Sequence, residues 1–151
     1  LFVILTFDTS HHMKGKTTLM IIKPGGVSRG LTGPILHLIT DTGFRISALK
    51  MFQMTRSEAE RFYEVHKGRP FYQQLVEFMI SGPIVAGILE KENAVEAYRE
   101  LIGATDPAKA EDGSIRNLYG ESVRENAVHG SDSDENAIKE ASFFFSQCER
   151  F

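Results

Sequence analysis

The chain has one cysteine, Cys148, among 151 residues, so it can form no internal disulfide and no multi-cysteine zinc site. A reducing, cytoplasmic setting is the expectation that follows. Basic charge is not in excess either: 17 lysines and arginines stand against 20 acidic residues, a formal net charge of -3. The broad cationic face that drives nonspecific binding to nucleic acid or anionic membrane is therefore missing, and no dedicated nucleic-acid site is expected. No apolar run approaches the roughly 18 residues of a membrane-spanning helix. The sequence has no G-x-S-x-G elbow, no H-E-x-x-H helix and no paired-cysteine motif. Gly15-Lys16-Thr17 copies only the end of a phosphate loop; the first glycine would fall on Ser10, and the tripeptide leads into a strand instead of joining strand to helix. Internal repeats and low-complexity tracts are absent.

What is present fits one globular domain. Apolar residues make up 42% of the chain and charged residues 25%, and a chain of this size buries roughly two thirds of its unfolded surface. Leu1 to Phe7 are largely apolar but carry no basic leader and no small-residue cleavage site, so they do not read as a signal peptide. With Leu at position 1 and His11-His12-Met13 following, residues 1–12 read as an expression leader or a disordered extension, and residues 13–151 as a single domain.

Along that domain, Thr17 to Ile22 reads as a strand that stops at Lys23-Pro24-Gly25-Gly26. Pro34, Ile35, Leu38, Ile39 and a terminating Gly43 predict a helix over 33–42. Alternation of Phe44, Ile46 and Ala48 with Arg45 and Ser47 predicts a strand. Thr55 and Glu58 form a capping box for a helix carrying Ala59, Phe62 and Tyr63. A second helical stretch follows Arg69-Pro70, with Leu75, Phe78 and Met79 on its apolar side. Ile84 to Leu89 reads as a buried strand, and Asn93 with Glu96 as the cap of a helix ending at Gly103. Residues 103–120 read as a long loop. Ala127 to His129 predicts a short strand before a last helix capped by Asp132 or Ser133. The order gives an α+β fold, a ferredoxin-like βαββαβ sandwich with a four-stranded antiparallel sheet and an inserted helical hairpin, its helices mainly on one face.

Asn126-Ala127-Val128-His129-Gly130-Ser131-Asp132-Ser133 stands out chemically. It sets an imidazole at the end of an apolar strand, beside a glycine and a hydroxyl, just before a helix N-terminus that favours an anion. A neutral imidazole is a competent nucleophile near pH 7. The same eight residues also read as a capping turn around a satisfied histidine.

These residues, with Lys23-Pro24, Arg29-Gly30, Arg69-Pro70-Phe71, Ser81-Gly82-Pro83, Gly103 through Pro107 and Ile115-Arg116, closely resemble the nucleoside diphosphate kinase family over about residues 17 to 145. The resemblance implies transfer of a γ-phosphoryl group from a nucleoside triphosphate to His129 and then to a nucleoside diphosphate. It makes Glu140 the carboxylate that orients the ring, Ser131 a hydroxyl in the ring's environment, and Tyr63 a neighbour of the transferred phosphate. Lys23, Arg99 and Arg116, with the hydroxyl of Thr105, would meet the phosphates. Phe71 and Val123, with Leu75 nearby, would sandwich the base, which predicts weak base discrimination because π faces are common to all bases. Asn126 and Lys23 would hold the ribose hydroxyls. Mg2+ would be bound through the nucleotide phosphates and by no dedicated protein ligand set; Asp132 is at most near its water shell. The family forms homo-oligomers, tetramers or hexamers. Two departures stand out: Gly25 replaces the usual aspartate after Lys-Pro, which predicts a looser loop, and Asn117-Leu118 replaces the usual Gly-Asp after Ile-Arg.

Two other readings use some of the same residues. A phosphohistidine carrier would need His129 but no nucleotide pocket. A single-stranded RNA or regulatory module would need paired aromatics on an open sheet face and a basic stripe.

Overall fold

Thr17–Ile22 forms strand β1, and all six of its residues are buried. Continuous apolar sequence of this kind has no solvent face to offer, so the strand must lie inside a sheet covered on both sides. The computed structural model describes residues 15–151, and the reading of residues 1–12 and of Met13 lies outside the described residues. In it β1 pairs antiparallel with β3 (Ile84–Glu90) on one side and with β4 (Val128–Gly130) on the other. β2 (Arg45–Phe52) pairs antiparallel with β3, giving the order β2-β3-β1-β4. This is the four-stranded antiparallel sheet expected from the sequence.

Seven helices accompany the sheet among the described residues: α1 (Pro24–Ser28), α2 (Thr32–Asp41), α3 (Arg56–Phe62), α4 (Tyr72–Met79), α5 (Ala94–Ile102), α6 (Ile115–Tyr119) and α7 (Asp134–Phe144). They do not collect mainly on one face. Leu19, Ile21, Ala86 and Ile88 pack with Ala59, Val76, Met79, Ala141 and Phe144 of α3, α4 and α7. On the other face Met20, Ile22, Val85 and Leu89 pack with Ile35, Ile39, Tyr98, Ile102 and Ile115 of α2, α5 and α6. Two-sided burial of β1 and β3 is the physical reason, since a one-faced arrangement would leave Met20, Ile22, Val85 and Leu89 in water.

Several local expectations are corrected. Lys23-Pro24-Gly25-Gly26 opens α1 instead of ending regular structure, because a proline in the first helical turn gives up only an N–H that has no partner there. Gly25 lies within this helix, not in a loosened loop. Asn93 precedes α5 in the left-handed region, φ 52°, and makes no side-chain cap. Ser133 is the residue that caps α7, accepting from the Asn136 N–H. Along β2 the alternation breaks at a bulge between Ile46 and Ala48, which leaves Ser47 and Ala48 both buried. The segment 103–120 contains α6, capped by Ser114 through the Asn117 N–H. Asn117 accepts in turn from Gly113 N at 3.2 Å, so it fixes the turn into the helix. The capping box of Thr55 with Glu58 forms as expected.

Candidate functional site

β4 is three residues long, and its register fixes the site. Ile21 of β1 stands opposite His129 and Met20 opposite Gly130. Ser131, fully buried, continues the edge: its N–H donates to the Leu19 carbonyl, and its Oγ accepts from the Leu19 N–H at 3.2 Å. The hydroxyl proton is thereby directed to Glu140 Oε2, 2.5 Å away on α7. The same carboxylate oxygen lies 3.1 Å from His129 Nε2. Serine, glutamate and histidine thus form one chain, anchored to the central strand and rooted in the core. A carboxylate facing Nε2 favours the proton on that nitrogen and leaves the lone pair on Nδ1.

Glycine at position 130 is a packing requirement, since a Cβ there would lie 2.8 Å from the Tyr98 ring. Ala127, two residues before His129, has φ 70°, a conformation that costs a non-glycine residue on the order of 1 kcal/mol. Its carbonyl accepts from Lys23 N at 2.9 Å, which ties the end of β1 to the entry of β4.

His129 opens into a cleft of about 880 Å³. Lys23, Tyr63, Phe71, Leu75, Arg99, Thr105, Arg116, Val123 and Asn126 line it as well, so nine further residues singled out in the sequence converge there. Glu140 and Ser131 stand behind the histidine. The walls differ in character. Phe71 and Val123 are exposed apolar side chains, about half of each surface open to solvent, with Leu75 on the same wall. The remaining wall carries Lys23, Arg99, Arg116 and Arg124 against one lining carboxylate, Glu125. A ligand with an aromatic or apolar part and several negative charges matches that division.

Lys23 is buried, and its Nζ donates to Asn126 Oδ1 at 2.7 Å. Burial, with the charge of Arg116 adding to it, brings its pKa down from 10.5 to about 8. Asn126 Nδ2 donates to the Thr105 carbonyl at 3.0 Å, so the amide spans from the lysine to the loop after α5. Arg116 is not a loop residue: it projects from α6, and its two terminal nitrogens donate to the carbonyls of Gly103 and Val128, each at 3.0 Å. The Tyr63 hydroxyl is buried with no hydrogen-bond partner, and burial together with the charge of Glu140 raises its pKa.

Four cleft residues, His66, Ser122, Arg124 and Glu125, are not among those that the sequence singles out. His66 stacks beside Tyr63, ring centroids 6.2 Å apart, and meets Phe71 edge-on at 5.5 Å. Its spacing of three residues from Tyr63 was the available signal, because such residues lie on one side of a helical turn. Arg124 hydrogen-bonds Gln74 of α4 across the cleft mouth, and nothing in its local sequence marks it. Asp132, by contrast, accepts from Asn136 Nδ2 at 2.6 Å and borders a separate, more acidic depression with Glu96, Glu100 and Asp134. Among the described residues, no group of three or more His, Cys, Asp or Glu side chains converges as a metal site.

The fold and the cleft define a class: a ferredoxin-like α+β protein with a carboxylate-oriented histidine at the floor of a cationic, partly aromatic cleft. Comparison with known proteins narrows it. The family model for nucleoside diphosphate kinase matches residues 16–150. A nucleoside diphosphate kinase of Flavobacterium psychrophilum is 55% identical over 139 residues, covering 92% of this chain and all of the relative. One from Phenylobacterium zucineum is 58% identical over 132 residues, covering 87% and 95% of the two chains. Among solved structures, the Aquifex aeolicus nucleoside diphosphate kinase superposes with a TM-score of 0.88 at 47% identity, covering 90% of this chain and 99% of that one. A halophilic nucleoside diphosphate kinase from Halobacterium salinarum in complex with CDP superposes with a TM-score of 0.87 at 34% identity, covering 89% and 90%. The chain belongs to the nucleoside diphosphate kinase family.

Proposed function

We propose that the protein is a nucleoside diphosphate kinase that moves the γ-phosphoryl group of a nucleoside triphosphate to a nucleoside diphosphate in two steps, through a phosphohistidine on His129. The observation that carries this reading is the Ser131–Glu140–His129 chain opening into a cation-lined cleft. In the first step the Nδ1 lone pair attacks the γ-phosphorus, the bond to the β–γ bridging oxygen breaks, and its electron pair leaves with the nucleoside diphosphate. The ring keeps its Nε2 proton and becomes positively charged, and Glu140 faces that charge. In the second step a terminal oxygen of the acceptor diphosphate attacks phosphorus and the pair of the P–N bond returns to Nδ1. No proton has to be removed from the nucleophile, so the protein's work is in-line positioning and neutralisation of phosphate charge.

Lys23, Arg99, Arg116 and the Thr105 hydroxyl are assigned to the phosphates, with the Tyr63 hydroxyl and His66 beside the transferred group. Asn126 and Lys23 are assigned to the ribose, and Phe71, Val123 and Leu75 to the base. Gripping the base by its faces gives broad specificity, because few hydrogen-bonding edges are read. Mg2+ neutralises phosphate charge and enters bound to the nucleotide, in keeping with a cleft rich in cations and poor in carboxylates. Residues 13–151 are assigned as one domain, acting in the cytoplasm as a homo-oligomer, tetramer or hexamer. Leu49 and Met51, exposed on edge strand β2, are apolar surface that a second copy would cover.

The test is incubation with γ-labelled nucleoside triphosphate and Mg2+. The expected product is an acid-labile, alkali-stable label on His129 that a different nucleoside diphosphate discharges, and that His129→Ala never acquires. A folded His129→Ala protein with full exchange activity would sink the proposal. Light scattering on the active protein reads the assembly, and an active monomer would remove the oligomer assignment.

A further inference from the structure

Phe62 ends α3 and is not among the residues lining the cleft, yet it touches the imidazole that the cleft exposes. Its ring meets His129 at a centroid distance of 5.5 Å and an interplanar angle of 72°. It is held there by three further rings: Tyr63 at 4.8 Å, Phe144 at 5.0 Å and Phe143 at 5.4 Å. Phe143 and Phe144 belong to α7, the helix that carries Glu140. One aromatic cluster therefore joins the hairpin helix α3, the histidine strand and the carboxylate helix. Among the described residues, the polar group that holds the imidazole is Glu140, at Nε2. A single hydrogen bond leaves rotation about its own axis open, and an edge-to-face ring contact closes that freedom.

We propose that Phe62 is a positioning residue for His129. Its ring holds the imidazole in line with Glu140 and so fixes the direction in which Nδ1 faces the cleft. This rests on the phosphohistidine reading above and adds to it a means of aiming the nucleophile. A ring already packed against the imidazole leaves it no reorganisation to make during transfer.

The experiment compares the wild type with Phe62→Leu and Phe62→Ala. Each is mixed with γ-labelled nucleoside triphosphate and Mg2+ and followed for the rate at which it takes up label. Steady-state kcat and KM and a thermal melt are measured in parallel. Leucine keeps the apolar fill and lacks the ring, so Phe62→Leu is expected to fold. Its labelling rate and kcat should each fall on the order of tenfold with nucleotide KM within about twofold of wild type. Phe62→Ala should show the larger effect, and if it fails to fold the leucine variant decides. Wild-type labelling rate and kcat in Phe62→Leu, or a loss confined to KM, would overturn the proposal. Failure of the wild type itself to take label would instead overturn the phosphohistidine reading.

Discussion

At the scale of the residue, two side chains have environments that set their chemistry. Glu140 receives the Ser131 hydroxyl and faces His129 Nε2 with the same oxygen. Glu140→Gln keeps the shape but presents no negative charge to the ring that the proposed transfer would make cationic. We expect kcat to drop on the order of 100-fold with little change in melting temperature. Wild-type kcat in this variant would show that the carboxylate's charge is not used. Lys23 is different, because its pKa of about 8 in the folded protein lies below its ordinary 10.5. Between those values the unfolded chain holds more protons than the native one, so this lysine makes the free protein's stability rise with pH across that window and adds no slope outside it. Phosphate placed beside Nζ favours the charged form, so binding takes up a proton near and above pH 8. Nucleotide KM should then rise as pH climbs through about 8, with proton uptake visible by calorimetry in buffers of different ionisation enthalpy. A KM that stays flat across that range, without uptake, would remove Lys23 from the phosphate or ribose contact. Both roles were legible in the sequence only through the resemblance. The lysine at a strand end carries no mark of its burial or of the groups that act on its ammonium, Asn126 and Arg116, which lie 103 and 93 positions further along the chain (126 − 23 and 116 − 23).

At the scale of the element, Arg116 belongs to a helix and binds backbone. α6 projects its guanidinium between the end of α5 and β4, where the Gly103 and Val128 carbonyls accept from it. Gly103 cannot readily be replaced there, since φ is 81° and a Cβ would lie 2.4 Å from Ser114 Oγ. A purely phosphate-facing Arg116 would, when replaced by Ala, weaken turnover more than folding. With two charge-assisted bonds to buried backbone at stake, stability should fall as well, by about 2 kcal/mol, together with kcat. Urea denaturation beside kinetics checks this, and an unchanged midpoint would return Arg116 to a purely phosphate-facing role. The reason the sequence missed α6 is its length: five residues cannot show helical periodicity, and its cap, Ser114, sits among ordinary loop residues. Longer or fully buried elements were legible. β1 was found at its full extent, Thr17–Ile22, and α3 through its capping box. The bulge in β2 and the left-handed Asn93 are tertiary outcomes that no local pattern announces. Placing helices on both sheet faces needed only one further step, the observation that β1 and β3 have no polar side.

For the whole molecule, the telling feature is how charge is distributed. The chain carries a net -3, yet the cleft gathers Lys23, Arg99, Arg116 and Arg124 around one carboxylate. A cationic cleft on a protein of net negative charge attracts anions locally, and a polyphosphate drawn there would meet His129. Both sheet faces are covered by helices, so the open aromatic sheet that a single-stranded RNA module uses is not available in this architecture. The ion pairs outside the cleft, such as Lys16–Glu92, Lys139–Glu135 and Arg56–Glu60, are exposed, and pairs of that kind contribute about 0–1 kcal/mol each and are screened by salt. Salt should therefore separate capture from folding. Raising ionic strength from about 0.05 M to about 1 M shortens the screening length to roughly 3 Å. Nucleotide KM should increase several-fold over that range while kcat and the melting temperature of the free protein move little. A kcat that fell while KM held steady would mean that the cationic wall acts in the transfer step and not in drawing the nucleotide in. A melting temperature that fell as KM rose would mean that the same charges hold the fold together, and Arg116, bonded to backbone through both terminal nitrogens of its guanidinium, is the residue through which that coupling would run.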